Sequence, residues 1–210
     1  MKGVLDLLRR AGSGAREEAA DSLLFTTAFA DQGADPAALI PWEARANEIG
    51  ARRLAAARGI KQLQALWAKD KYMSRLPPDA VQRLERFFDF AVVAADRDII
   101  RQDEYGNFMI VLLTGSIAVD RLQPWGEQMR LTEARPGDIL GEMSLLDSGT
   151  RFSVCTSLVE CEIAVLGAQA MDEMMQHEPQ LAAALVALLA RKLSMRLRVV
   201  GARLSERQAG

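Results

Sequence analysis

Two charged residues, Glu142 and Arg151, stand nine positions apart in a segment otherwise suited to holding an anion. Gly141, Glu142, Met143 and Ser144 follow the turn residues Pro136, Gly137 and Asp138, an order that predicts a short helix whose first N–H groups lack internal partners. Arg151, arriving on the next strand, presents a planar guanidinium that pairs phosphate oxygens through two parallel, charge-assisted hydrogen bonds. A carboxylate beside it is odd for a bare anion site. An ionised glutamate is acceptor-only, however, and takes the proton of a sugar hydroxyl. Phosphate and sugar together are the chemistry these residue types address.

A cyclic nucleotide meets these conditions: it is small, carries phosphate and ribose together, and fits inside a β barrel. The same two residue types also fit an ion pair that closes a surface loop, and the types alone leave both readings open. Either one needs elements to position it. From Phe90 onward the chain reads as short strands: Val92 and Val93, Ile99 and Ile100, residues 109–113, then Ile117 and Val119 alternating with small or polar neighbours. Pro124, Trp125, Gly126 and Glu127 make a turn, and Met129 and Leu131 alternate on the return. Phe152, Val154, Thr156 and Leu158 repeat the period of two, as do Cys161, Ile163 and Val165. So many short antiparallel strands predict a sandwich, barrel or jelly roll.

Helices flank the strands. Residues 1–76 read as a helical segment rich in Ala, Leu and Arg, with breaks at residues 12–14, at residues 33–36 and at Gly59. Ile60, Leu63, Leu66 and Trp67 form one apolar stripe there. Residues 77–210 form the second unit: a helix after Pro77 and Pro78, the strands, a helix over residues 168–176, and a long helix from Pro179 toward Leu204. Leu181, Leu185, Leu188, Leu189, Leu193, Leu197, Val200 and Leu204 give that last helix enough apolar surface to pack on the strands and on a second copy.

Composition narrows the function. The 210 residues carry 26 Lys plus Arg against 28 Asp plus Glu, a net charge of -2, so no global field marks a nucleic-acid binder. One histidine, His177, and two cysteines, Cys155 and Cys161, are too few for a closed zinc site, and no metal is expected. No Ser-His-Asp set, paired catalytic carboxylates or phosphate-loop motif is present, so the chain is not expected to be an enzyme. Asp6, Arg9 and Arg10 interrupt any secretory leader, and the apolar run over residues 180–190 is too short to span a bilayer. A cytoplasmic protein with reduced cysteines is expected.

Residues 136–153 resemble the phosphate-binding cassette of the cyclic-nucleotide-binding domain, the family of the bacterial cAMP receptor proteins and the regulatory subunits of cAMP-dependent kinase. The Gly-Glu pair followed nine positions later by Arg is similar to the kinase regulatory form. Residues 99–102, residues 109–115, the turn at Pro136, Gly137 and Asp138, the run Cys161, Glu162 and Ile163, and Glu178 with Pro179 follow the family's order. The resemblance implies an α+β fold, an antiparallel β-roll of jelly-roll type with flanking helices and a long C-terminal helix. It further implies that Glu142 binds the ribose 2′-hydroxyl with Gly141 nearby, that Arg151 neutralises the cyclic phosphate, and that Met143 and Ser144 line the cassette helix.

Phe152 stands where the family usually has Ser, Thr or Ala, with Ser153 behind it. The phenyl ring removes the hydroxyl that meets guanine in cGMP-selective relatives, which favours cAMP over cGMP. Arg97 and Asp103 replace two glycines of the early turns. In this family the final helix acts as a lid over the base, and its matching positions here are Lys192, Arg196 and Leu197. The expected function is therefore a non-catalytic cAMP receptor module, with cGMP as a second ligand candidate. It would work as a homodimer through the last helix, meet a protein partner through the N-terminal helices, and carry no DNA-reading domain. The alternative is a fold that has lost its ligand and serves as a protein-interaction scaffold.

Overall fold

The structure, a computed structural model, describes residues 23–33 and 35–208. The break at residues 12–14 lies outside them, as does the side chain of Leu204. In chain order the helices are α1 (Leu24–Asp31), α2 (Trp42–Ile49), α3 (Ala56–Trp67), α4 (Pro78–Arg83), α5 (Glu142–Asp147), α6 (Ala168–His177) and α7 (Pro179–Gln208). The strands are β1 (Arg52–Arg53), β2 (Asp89–Val93), β3 (Asp98–Ile100), β4 (Phe108–Thr114), β5 (Ile117–Leu122), β6 (Gln128–Ala134), β7 (Ile139–Leu140), β8 (Val154–Ser157) and β9 (Cys161–Gly167).

The strands make two antiparallel sheets, one in the order β1-β2-β9-β4-β7 and one in the order β3-β8-β5-β6. This is the expected β-roll with flanking helices. β4 explains why its sequence is an unbroken apolar run rather than an alternating one. Phe108, Ile110 and Leu112 point into the space between the sheets, while Met109, Val111 and Leu113 point to the helices on the other side. A central strand buried on both faces has no polar face to show. β6 is the reverse case, an edge strand with most of its side chains in water.

The helical layer packs on the outer face of the five-stranded sheet. Ile60, Leu63 and Trp67 of α3 meet Met109, Val111, Leu166 and the buried half of α7, including Leu181, Leu185, Leu188 and Leu189. Two features of residues 23–76 depart from the sequence reading. Gly59 does not break a helix but sits inside α3, where a Cβ would lie 2.1 Å from the Phe90 ring. The glycine permits a close helix-to-strand approach. Arg52 and Arg53, read as helical, form β1 and extend the sheet beside β2.

Candidate functional site

Arg151 is 3% exposed, and its direct partners are main-chain carbonyls and an aromatic ring. Nη1 donates to the Gly141 carbonyl at 2.8 Å and Nη2 to the Phe108 carbonyl at 2.7 Å. The Phe108 ring lies under the guanidinium, 4.6 Å from Cζ to the centroid. The residue is held from its backbone too: Arg151 N donates to the Glu104 carbonyl at 2.8 Å, and Asp103 N donates to the Arg151 carbonyl at 2.9 Å. Asp103 makes that turn at φ 65, a left-handed conformation that aspartate tolerates better than most residues. Asp96, not Arg97, is the other non-glycine in an early turn with positive φ.

Two glycines leave room for the guanidinium. A Cβ on Gly106 would lie 2.6 Å from Nε and Nη2, and one on Gly141 would lie 2.7 Å from Nη1. Gly141 also needs its φ of 79, so both space and conformation exclude a side chain there. Burial lowers the Arg151 pKa to about 10, with the charge of Arg45 acting the same way and those of Glu104 and Glu142 opposing it. At neutral pH the group stays a cation, and no carboxylate forms a salt bridge with it among the described residues.

α2 supports this arrangement from behind. Trp42 packs edge-on against Phe108 with centroids 5.6 Å apart, and the buried Arg45 pairs with Glu48 at 2.6 Å and with Glu104. Trp42, Arg45, Gly106 and Phe108 were not among the residues singled out from the sequence. Three of them act through a close contact or a main-chain carbonyl, and Arg45 through a distant acid, so no local motif announces them.

Glu142 is 2% exposed at the start of α5. Its Oε1 accepts from Arg196 Nη1 of α7, and Arg196 Nη2 donates to the Ile139 carbonyl at 2.6 Å. Burial pushes the Glu142 pKa up, and Arg196 opposes that shift. The surface ion pair between Glu142 and Arg151 is thus not the arrangement found. Both residues are buried, and the partner of Glu142 is Arg196. Lys192, one turn before Arg196, donates to the Gly137 carbonyl at 2.9 Å, whereas Leu197 is 73% exposed.

The remaining cassette residues divide by exposure. Ser144 is buried, Met143 and Phe152 are exposed, and Ser153 is half-buried beside the Cys155 thiol, to which it is hydrogen-bonded. The Phe152 ring stacks on Arg121 of β5, with Cζ 4.0 Å from the centroid, and Arg121 Nη1 donates to the Phe152 carbonyl at 2.5 Å. The ring is therefore not packed into the core between the sheets. Cys155 and Cys161 are free and buried, and burial pushes the Cys155 thiol up to about 12. A thiol so shifted is inert. No cluster of three His, Cys, Asp or Glu is found among the described residues, and no described helix is long and apolar enough to cross a membrane.

Comparison with known proteins gives a consistent result. The family model for the cyclic nucleotide-binding domain matches residues 91–178. The chain is 25% identical over 116 residues to the CRP-like cAMP-activated global transcriptional regulator of Mycobacterium tuberculosis, covering 55% of this chain and 52% of that protein. It is 28% identical over 118 residues to the cyclic AMP receptor protein of Thermus thermophilus, covering 56% and 55%. The chain therefore spans about half the length of these relatives. Among solved structures, a cyclic nucleotide-binding domain from Methylobacillus flagellatus shares the fold, with a TM-score of 0.66, 21% identity, and coverage of 70% of this chain and 84% of that one. The cassette and all the strands except β1 and the start of β2 lie within the matched segment, so residues 91–178 are similar to the cyclic nucleotide-binding domain in sequence pattern and in fold.

Proposed function

We propose that the protein is a cyclic nucleotide receptor module, with cAMP as its ligand, that signals by conformational change and carries out no catalysis. The observation that carries this reading is Arg151: a guanidinium 3% exposed, held by two carbonyls and an aromatic face, with no acid paired to it among the described residues. A buried cation is costly unless an anion compensates it. A cyclic phosphate supplies that charge and accepts from a planar fork. Glu142, buried at the other end of the same segment, takes the ribose 2′-hydroxyl, and Gly141, Met143, Ser144 and Ser153 line the cassette around the ligand.

Phe152 in place of a hydroxyl residue favours adenine over guanine, so cAMP is preferred to cGMP. Ligand binding acts on α7, whose side chains Lys192 and Arg196 already reach the cassette, and the N-terminal helices pass the change to a protein partner. Calorimetric titration tests the reading. cAMP binds the wild-type protein, binds more tightly than cGMP, and loses about a hundredfold or more in affinity in Arg151→Ala, where charge-assisted hydrogen bonds are removed. Absence of heat with both nucleotides, together with an unchanged melting temperature, supports the scaffold alternative instead.

A further inference from the structure

Arg151 is free for a phosphate only while no acid of the protein claims it. Glu104 is placed to do so. It lies in the loop between β3 and β4, its carbonyl accepts from Arg151 N at 2.8 Å, and its charge acts on the Arg151 guanidinium ahead of that of Glu142. Yet the Glu104 carboxylate is taken by α2: Oε2 accepts from Arg45 Nη2, while Arg45 Nη1 donates to Glu48 Oε2 at 2.6 Å. Arg45 is 1% exposed, so this grip is built into the interior. Arg101 holds Glu104 less well, since its Nη1 stands 3.9 Å from Glu104 Oε1 but 2.5 Å from Glu48 Oε1. The same loop is tied to the segment before α2 by its main chain, where Ile40 N donates to the Tyr105 carbonyl at 2.8 Å.

We propose that Arg45 is a positioning residue of the ligand site: it holds the Glu104 carboxylate on the α2 side of the loop and so keeps Arg151 open to the cyclic phosphate. This rests on the reading of Arg151 as the phosphate residue. A carboxylate and a phosphate compete for the same planar fork. A carboxylate tethered beside the fork competes at the high effective concentration of an intramolecular group. Without Arg45, pairing with Glu104 relieves the uncompensated buried charge of Arg151, and the site closes on itself. α2 precedes residues 91–178, the segment that matches the cyclic nucleotide-binding domain, so nucleotide affinity depends on a helix outside that segment.

The test is calorimetric titration of the full chain with cAMP, for wild type, Arg45→Met, Glu104→Gln and the double variant, each checked for a cooperative melt. Arg45→Met loses about tenfold in affinity, as expected where only about a tenth of the molecules keep an open site. The double variant returns to within about threefold of wild type, and Glu104→Gln alone stays within about threefold, because neither contains the competing charge. Arg45→Lys, with one ammonium in place of a fork, shows a smaller loss with the same rescue by Glu104→Gln, and this pair decides the matter where Arg45→Met does not fold. Unchanged affinity in both Arg45 variants overturns the inference. So does a loss that Glu104→Gln fails to rescue, which makes Arg45 merely structural, or a loss of about tenfold in Glu104→Gln alone. In those cases binding by wild type leaves the receptor reading standing. If wild type binds no cAMP, the receptor reading itself falls and takes this inference with it.

Discussion

Arg151 is defined by what is missing around it. Gly106 offers no Cβ, and Gly106→Ala places one inside the guanidinium, forcing the arginine or the loop to move. The expected result is a loss of about 1–3 kcal/mol in urea unfolding together with weakened nucleotide binding, whereas a surface glycine such as Gly126 has open space at the same test. Glu142 yields a prediction in pH. Its folded pKa is raised above the ordinary 4.5 because it is buried. Between 4.5 and that raised value the folded chain holds a proton that the unfolded chain has released. Stability therefore falls as pH rises across this window and levels off above it. Melting curves taken in pH steps across the window show the decline in wild type, and Glu142→Gln flattens it. Glu142 and Arg151 stood out in the sequence because charge and spacing are local properties, and the structure buries both. Gly106 and Phe108 were not, since a carbonyl that accepts from a distant arginine leaves no mark on its own side chain.

At the scale of elements, β4, β9 and α6 were readable because each keeps one simple packing environment along its length, and α7 was readable from the apolar stripe it buries over its first half. α3 shows the limit. Its stripe of Ile60, Leu63, Leu66 and Trp67 was visible, but Gly59 looked like a boundary, because a glycine needed for contact and a glycine needed for a turn are the same letter. Gly59→Ala drives a methyl group into the Phe90 ring, and a cost of about 1–3 kcal/mol is expected by thermal or urea denaturation despite the higher helix propensity of alanine. β1 escaped notice for a related reason: two exposed arginines become a strand only because the β2 edge lies beside them. α1 is joined to the rest by Asp172 of α6, a 1% exposed carboxylate that accepts from Phe25 N and Thr26 N at 2.9 Å and from Thr26 Oγ1 at 2.6 Å. Leu23, at the position before α1, provides no side-chain cap. Asp172→Ala is expected to lower stability by about 1–2 kcal/mol and to raise amide exchange in residues 24–31, while Asp172→Asn retains part of both.

The whole molecule is a β-roll with its cassette at one end and a helix that runs past it. α7 buries Leu181, Leu185, Leu188 and Leu189, then leaves Met195, Leu197, Val199 and Val200 exposed over its second half. Exposed apolar residues in succession on one helix mark a surface for association. Equilibrium sedimentation is expected to show a dimer at micromolar protein, and Leu197→Glu combined with Val200→Glu to give a monomer that still melts cooperatively. A wild-type protein that sediments as a single copy would refute the dimer. The exposed half also includes the turn that carries Arg196, so the helix with this apolar surface is the one that reaches Glu142.

The carboxylate of Asp172 lies 147 residues downstream of the peptide N–H it receives from Phe25. An eight-residue helix is marginal by itself, and this one borrows its starting signal. On a ribosome, Leu24–Asp31 emerges early and waits through the synthesis of both sheets until the residue that seats it appears. The earliest described helix in the chain is accordingly expected to be seated late, and a chain ending before Asp172 is expected to show no protected amides over residues 24–31.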